Sequence, residues 1–279
     1  MQGCSRYAEL HCTTNFSFLQ AGSHPEELVS QAASLGYAAL AITDRVSLSG
    51  VVRAHAAAKE AGVHLIIGAV VEPIDAAPLV LWVTNKKGYE NLCRLLTTGL
   101  LKQDCLKKDG EIDGSELRDH DPRCCLTADE VAAHADGLLA GIPLSQLHGS
   151  VESATVSIRA WQDRLGKQLY GLAEVAMEGD DQERLENYAR LSYETHIPLV
   201  AAGDVRYHSR DRQPLHDALA AVRYGRTVES IQEKLLSNGE RHLQDIKRVV
   251  ERFSILPGAV DRTLEIASRC TFSLDEISY

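Results

Sequence analysis

The sequence runs to 279 residues with 44% hydrophobic and 24% charged side chains, a balance that lets a chain bury one sizeable core. Asp and Glu number 39 against 29 Lys and Arg, a net charge of -10 that argues against a free-standing protein coating duplex DNA through phosphate contacts. Seven cysteines with no C-x-x-C pair argue against a disulfide framework or zinc knuckle. Residues 1–7 carry no apolar leader and no stretch reaches the roughly 18 apolar residues of a bilayer span, so the reading is a cytoplasmic chain with no membrane partner.

In chain order, a short strand is predicted over 7–11. Ser23 with Glu26 reads as a capping box opening a helix whose Leu28, Val29, Ala32 and Leu35 share a face and which Gly36 closes. A strand at 38–43, a helix at 51–61 stopped by Gly62, strands at 65–71 and 79–83 and a helix at 89–101 follow. The polar segment 102–123, with Asp109-Gly110 and Asp113-Gly114 turn signals, reads as a long excursion. Thr127 and Glu130 cap another helix. Strands are then predicted at 137–141, 169–175 and 198–202, with helices at 157–165 and 181–195 between them. Beyond Asp204 the pattern is helical, at 214–223, 243–253 and 258–270. Strands alternating with helices mark parallel β/α architecture, and no G-x-G-x-x-G follows the first strand. The predicted class is α/β, a seven-stranded barrel over 1–212 with a helical extension over 213–279.

In such barrels the reactive groups collect at the carboxyl ends of strands. Glu9 and His11, two apart on a strand, point to one side, and Asp44 and Asp204 follow later strands. A carboxylate and imidazole cluster of this kind suits a divalent metal, although each residue taken singly also suits a cap or turn. His24, His208 and His216 are read as structural. Cys124-Cys125 sits in a polar loop with no visible base.

The stretch "YAELHCTTNFSFLQAGSHPEELVSQAASLGYAALAITDRVSLSGVVRAHAAAKEAGVHLIIGAVV", with "TNKKGYENLCRLL", "PLVAAGDVRYHSRDRQPLHDALAAVR", "NGERHL" and "VDRTLEIASRCTFSLDEISY", resembles the N-terminal polymerase-and-histidinol-phosphatase (PHP) domains of bacterial polymerase III alpha-type DNA polymerases, above all the error-prone branch. The resemblance implies a distorted seven-stranded barrel. It also implies a metal-dependent phosphoesterase ancestry, with histidines and carboxylates holding up to three ions. At the matching positions the opening H-x-H has become Glu9 and His11, the following Asp is Gln20, the His of T-D-H is Arg45, the third-strand Glu is Val70, and the final D-x-H keeps Asp204 but has Arg206.

The resemblance therefore leaves Glu9, His11 and Asp204 as a residual site. No cofactor is expected, and if one binds it is a divalent Zn or Mn ion. In place of metals, a salt-bridge cluster of Glu9, Asp44, Arg45, Asp204 and Arg206 is expected, because guanidinium forks suit carboxylates. The function implied is that of a degenerate structural module of a translesion polymerase. Its expected partners are the rest of the polymerase, DNA only through it, and candidate sliding-clamp and damage-response accessory proteins. The competing reading is a phosphoesterase or 3′–5′ exonuclease with a reduced metal site. No polymerase aspartate cluster or fingers region is present, so no DNA synthesis is expected of these residues alone.

Overall fold

A computed structural model describes residues 6–102, 124–147, 149–256 and 258–277, so the predicted excursion lies, apart from Lys102, outside the described residues. Seven strands form one sheet in chain order: β1 (Ala8–Glu9), β2 (Ala39–Arg45), β3 (His64–Val71), β4 (Leu79–Val83), β5 (Leu138–Pro143), β6 (Leu169–Glu174) and β7 (Leu199–Ala202). The helices around them are α1 (Pro25–Ser34), α2 (Val51–Ala61), α3 (Lys86–Leu101), α4 (Ala128–Ala133), α5 (Val151–Leu165), α6 (Asp181–Thr195), α7 (Gln213–Tyr224), α8 (Ile246–Arg252) and α9 (Asp261–Arg269).

The sheet is not wholly parallel, because β4 runs against both β3 and β5. The cause is the short connection: residues 72–78 are too few for a crossover, which takes about a dozen residues or more, so the chain can only double back. The cap of α1 also falls one residue later than expected. Glu27 accepts from the His24 amide at 2.8 Å, while the Ser23 hydroxyl lies 2.8 Å from His208 Nδ1 and accepts from the His208 amide. α5 starts six residues early because Ser150 supplies its N-cap.

Side chains alternate across each strand and sort into two apolar layers. Leu40, Ile42, Leu65, Ile67, Leu81, Ile142 and Leu199 face the helices. Leu10, Ala41, Ile66, Val70, Val80, Leu139, Leu172 and Val200 belong to the interior layer, with Trp82 among them. The Trp82 indole crosses this interior and donates to the Leu10 carbonyl at 2.8 Å. Room for it exists because Gly141 has no side chain: a Cβ there would meet Trp82 Cη2 at 2.5 Å.

The barrel nearly closes. Beyond the ends of β1 and β7, Thr13 donates to the Val205 carbonyl and Val205 to that of His11, each at 2.9 Å. The other end is stoppered by α9, whose Ile266 and Ala267 join the interior layer together with Cys270. No helix among the described residues is long and apolar enough to cross a membrane.

Candidate functional site

The carboxyl ends of β1, β2, β6 and β7 open on one side, and the sequence-predicted polar residues divide there into three separate arrangements.

Glu9 is buried, and its carboxylate faces backbone. Oε1 accepts from the amides of Leu10, His11 and Gly203 at 2.9–3.0 Å, and Oε2 accepts from the Tyr7 hydroxyl at 2.9 Å. Burial raises its pKa, opposed by these donors. Because Gly203 follows β7, this carboxylate ties β1 to β7 where no ladder joins them.

Asp44 is fully buried at the end of β2. Its oxygens accept from the Thr14 amide, the Thr14 hydroxyl and the Ser17 hydroxyl, each at 2.8 Å, and burial pushes its pKa up to about 6. Arg45 turns the other way and grips Glu72 with a two-pronged contact of 2.9 and 2.6 Å. The expected five-residue salt-bridge cluster therefore does not form as one unit. Glu9 and Asp44 are satisfied by neutral donors, and the register that sets Arg45 beside Val70 brings it to Glu72, two residues on. Val70 faces the apolar interior, and Gln20 lies in a turn where its amide donates to Ser17.

The third arrangement centres on Asp204, in the left-handed region at φ 44°, which Asp tolerates better than most residues. Arg206 lies 2.7 Å from Asp204 Oδ1 and Arg241 grips Oδ2. His11 Nε2 stands 3.8 Å from the same carboxylate, while its Nδ1 meets Glu174 at 2.6 Å. Glu174 also accepts from the Ser145 hydroxyl at 2.5 Å, and Arg241 continues to Glu178 at 3.4 Å. Burial works against charge on His11, but Glu174 and Asp204 outweigh it and raise the pKa. Asp204 is held below the usual carboxylate range despite burial, chiefly by Arg206 and Arg241, then by His11.

Two of these residues escaped the sequence reading. Glu174 ends β6 and was open to the strand-end rule applied to the other strands. Arg241 lies in the loop before α8, inside the block NGERHL, to which that reading attaches no site role. The histidines His24, His208 and His216 join no ligand set. His216 packs its ring against Tyr207, with centroids 5.8 Å apart. Burial pushes the Cys124 thiol up to about 11, away from the thiolate form that a nucleophile uses.

A match to the family model of the PHP domain covers residues 9–176, more than half of the chain. The chain belongs to the PHP domain family. Among curated proteins, relatives include error-prone DNA polymerases of Rhodopirellula baltica, 41% identical over 98% of this chain and 23% of that one, and of Methylococcus capsulatus, 40% identical over 98% and 24%. The chain thus spans about a quarter of the length of these relatives. In fold it is similar to an amidohydrolase from Chromobacterium violaceum, with a TM-score of 0.55 and 15% identity, covering 74% of this chain and 89% of that one.

The side chains at the PHP mouth do not fit a divalent ion. Among the described residues no group of three or more His, Cys, Asp or Glu is placed to hold one. Glu9 has its acceptors filled by four donors, and a cation at Asp204 would have to displace two guanidiniums. The Nδ1 of His11 is already engaged by Glu174 at 2.6 Å, and its Nε2 faces Asp204 at 3.8 Å, a carboxylate that the two guanidiniums hold.

Proposed function

We propose that this chain is the PHP portion of an error-prone, polymerase III alpha-type DNA polymerase, and that it serves that polymerase in the cytoplasm as a non-catalytic structural module. The observation that carries this reading is the pairing of Asp204 with both Arg206 and Arg241. At the mouth, His11, Arg206 and Arg241 stand against Glu174, Asp204 and Glu178. Positive charge that metal ions supply in a phosphoesterase of this fold is supplied by side chains. Fixed ion pairs hold geometry without an exchangeable ligand, which suits a module that supports its neighbours rather than turning over a substrate.

On this reading the partners are the remainder of the polymerase and, through it, DNA during translesion synthesis, with the sliding clamp and damage-response accessory proteins reached from the same assembly. The similarity to error-prone polymerases over nearly the whole chain supports this.

The test is elemental analysis of the purified chain, with melting curves in chelator and in added Mn or Zn, and phosphatase and 3′–5′ exonuclease assays. Substoichiometric metal, an unchanged melting temperature and no turnover are expected. Stoichiometric metal with a hydrolytic activity that His11→Ala or Asp204→Ala abolishes would overturn the proposal and establish a reduced-site phosphoesterase instead.

A further inference from the structure

At the end of the barrel away from the mouth, a cavity of about 550 Å³ opens between the starts of β6 and β7, the ends of α5 and α6, and α9. Small-molecule sites commonly run from about 300 to 1,000 Å³. Its lining carries three permanent cations, Lys167, Arg262 and Arg269, against a single acid, Glu265, in a chain whose net charge is -10.

That acid is already engaged, since Glu265 accepts from the Tyr170 hydroxyl at 3.0 Å and lies 3.8 Å from Arg269. Arg269 in turn donates to the Tyr170 oxygen, and Arg262 donates to the Leu199 carbonyl. Each guanidinium is therefore anchored at one nitrogen, leaving other N–H groups of its fork for a further acceptor. Lys167 makes no ion pair among the described residues and is exposed at the rim.

Cations at the carboxyl ends of helices commonly balance the helix dipole, which accounts for Lys167 beside the end of α5. It also covers Arg269, the last residue of α9, but not Arg262, which stands in the first turn of that helix and reaches the same cavity.

The geometry points to a binding site for a phosphate ester at this floor of the barrel. A local surplus of two positive charges matches a phosphate dianion, and anchored guanidinium forks suit its oxygens. Leu169, Pro198 and the His196 ring leave less polar wall for the organic part. The phosphate comes from the terminal group of a free nucleotide, or from a nucleic-acid backbone in which two neighbouring diester phosphates of one charge each supply the same total.

Fluorescence polarisation of fluorescein-labelled dT12 and calorimetric titration with dATP, both on the whole chain in low salt, test the site. Saturable binding of either probe is expected. The exposed variant Lys167→Glu should weaken it about tenfold, the equivalent of one charge-assisted contact, and Arg269→Glu should do likewise. Lys247→Glu, an equal charge change on α8, should leave it unchanged. Binding of dATP alone assigns a free nucleotide, and binding of dT12 assigns a backbone. No binding of either probe, or equal losses in Lys167→Glu and Lys247→Glu, would overturn the site in favour of diffuse electrostatics. Melting curves of each variant separate lost binding from lost folding.

Discussion

Arg241 and Asp204 stand 37 positions apart in the chain and meet at the barrel mouth, where the guanidinium joins Arg206 in closing over one carboxylate. Both partners are largely buried, at 13% and 8% side-chain exposure. Breaking such a pair from one side leaves a charge without its partner. Arg241→Met should therefore lower the free energy of unfolding by about 3 kcal/mol, read from urea denaturation at pH 7. Adding Asp204→Asn should recover part of that loss, because the stranded charge is gone. A loss within about 0.5 kcal/mol, the range of surface substitutions, would show that the pair does not lock the mouth.

Asp44 carries a pH signature of the opposite sign from a salt-bridged carboxylate. Its pKa lies at about 6 in the fold against an ordinary 3.8, so between these values the native state holds a proton that the unfolded state has released. Stability from this group rises as pH falls through that window, and its ionised form costs the fold free energy above pH 6. Asp44→Asn removes the titration. The stability of wild type minus variant should increase on going from pH 7.5 to pH 4.5, by about 2 kcal/mol. Parallel pH profiles for the two proteins would contradict the shift.

β1 keeps only Ala8–Glu9 of the expected 7–11, whereas the strands after it were legible as compact apolar runs, and a run such as 79–83 needs no neighbour to be recognised. The direction of β4 was not, since alternation is the same read either way and only the length of its connection decides. At the mouth, Asp204 and Arg206 could be paired from their two-residue spacing. Arg241 could not, because only tertiary folding brings the loop before α8 to β7. Arg45 was drawn into the expected cluster by its place after β2, whereas the neighbouring strand β3 delivers Glu72 to it.

Trp82 and Gly141 make a packing pair across the barrel interior. Gly141→Ala would set a methyl 2.5 Å from the indole and 2.8 Å from Leu172 Cγ, so it should destabilise by about 1–3 kcal/mol. Trp82→Leu alone opens a cavity and loses the bond to Leu10, at about 3 kcal/mol. Combined, the methyl enters space that the indole has left. The double variant should be more stable than the sum of the two losses implies, by at least 0.5 kcal/mol on the scale of contacting pairs. Strict additivity in thermal or urea unfolding would show that the indole does not limit the position.

The described residues beyond Arg212 are bound into the barrel by more than chain connection. Ile266, Ala267 and Cys270 lie within its interior layer, Ala201 of β7 donates to the Ala259 carbonyl at 3.0 Å, and the Tyr37 hydroxyl donates to the Gln244 carbonyl at 2.7 Å. Arg241, which holds Asp204, comes from the same stretch. A polypeptide cut after Arg212 would expose the apolar end of the barrel, strand buried carbonyls and leave Asp204 with one guanidinium fewer. It should lose the cooperative thermal transition of the whole chain and bind a hydrophobic dye, with much of its far-ultraviolet circular dichroism retained. A sharp transition within a few degrees of the full chain would mean that residues 1–212 are a self-sufficient domain and that α9 only rests against it.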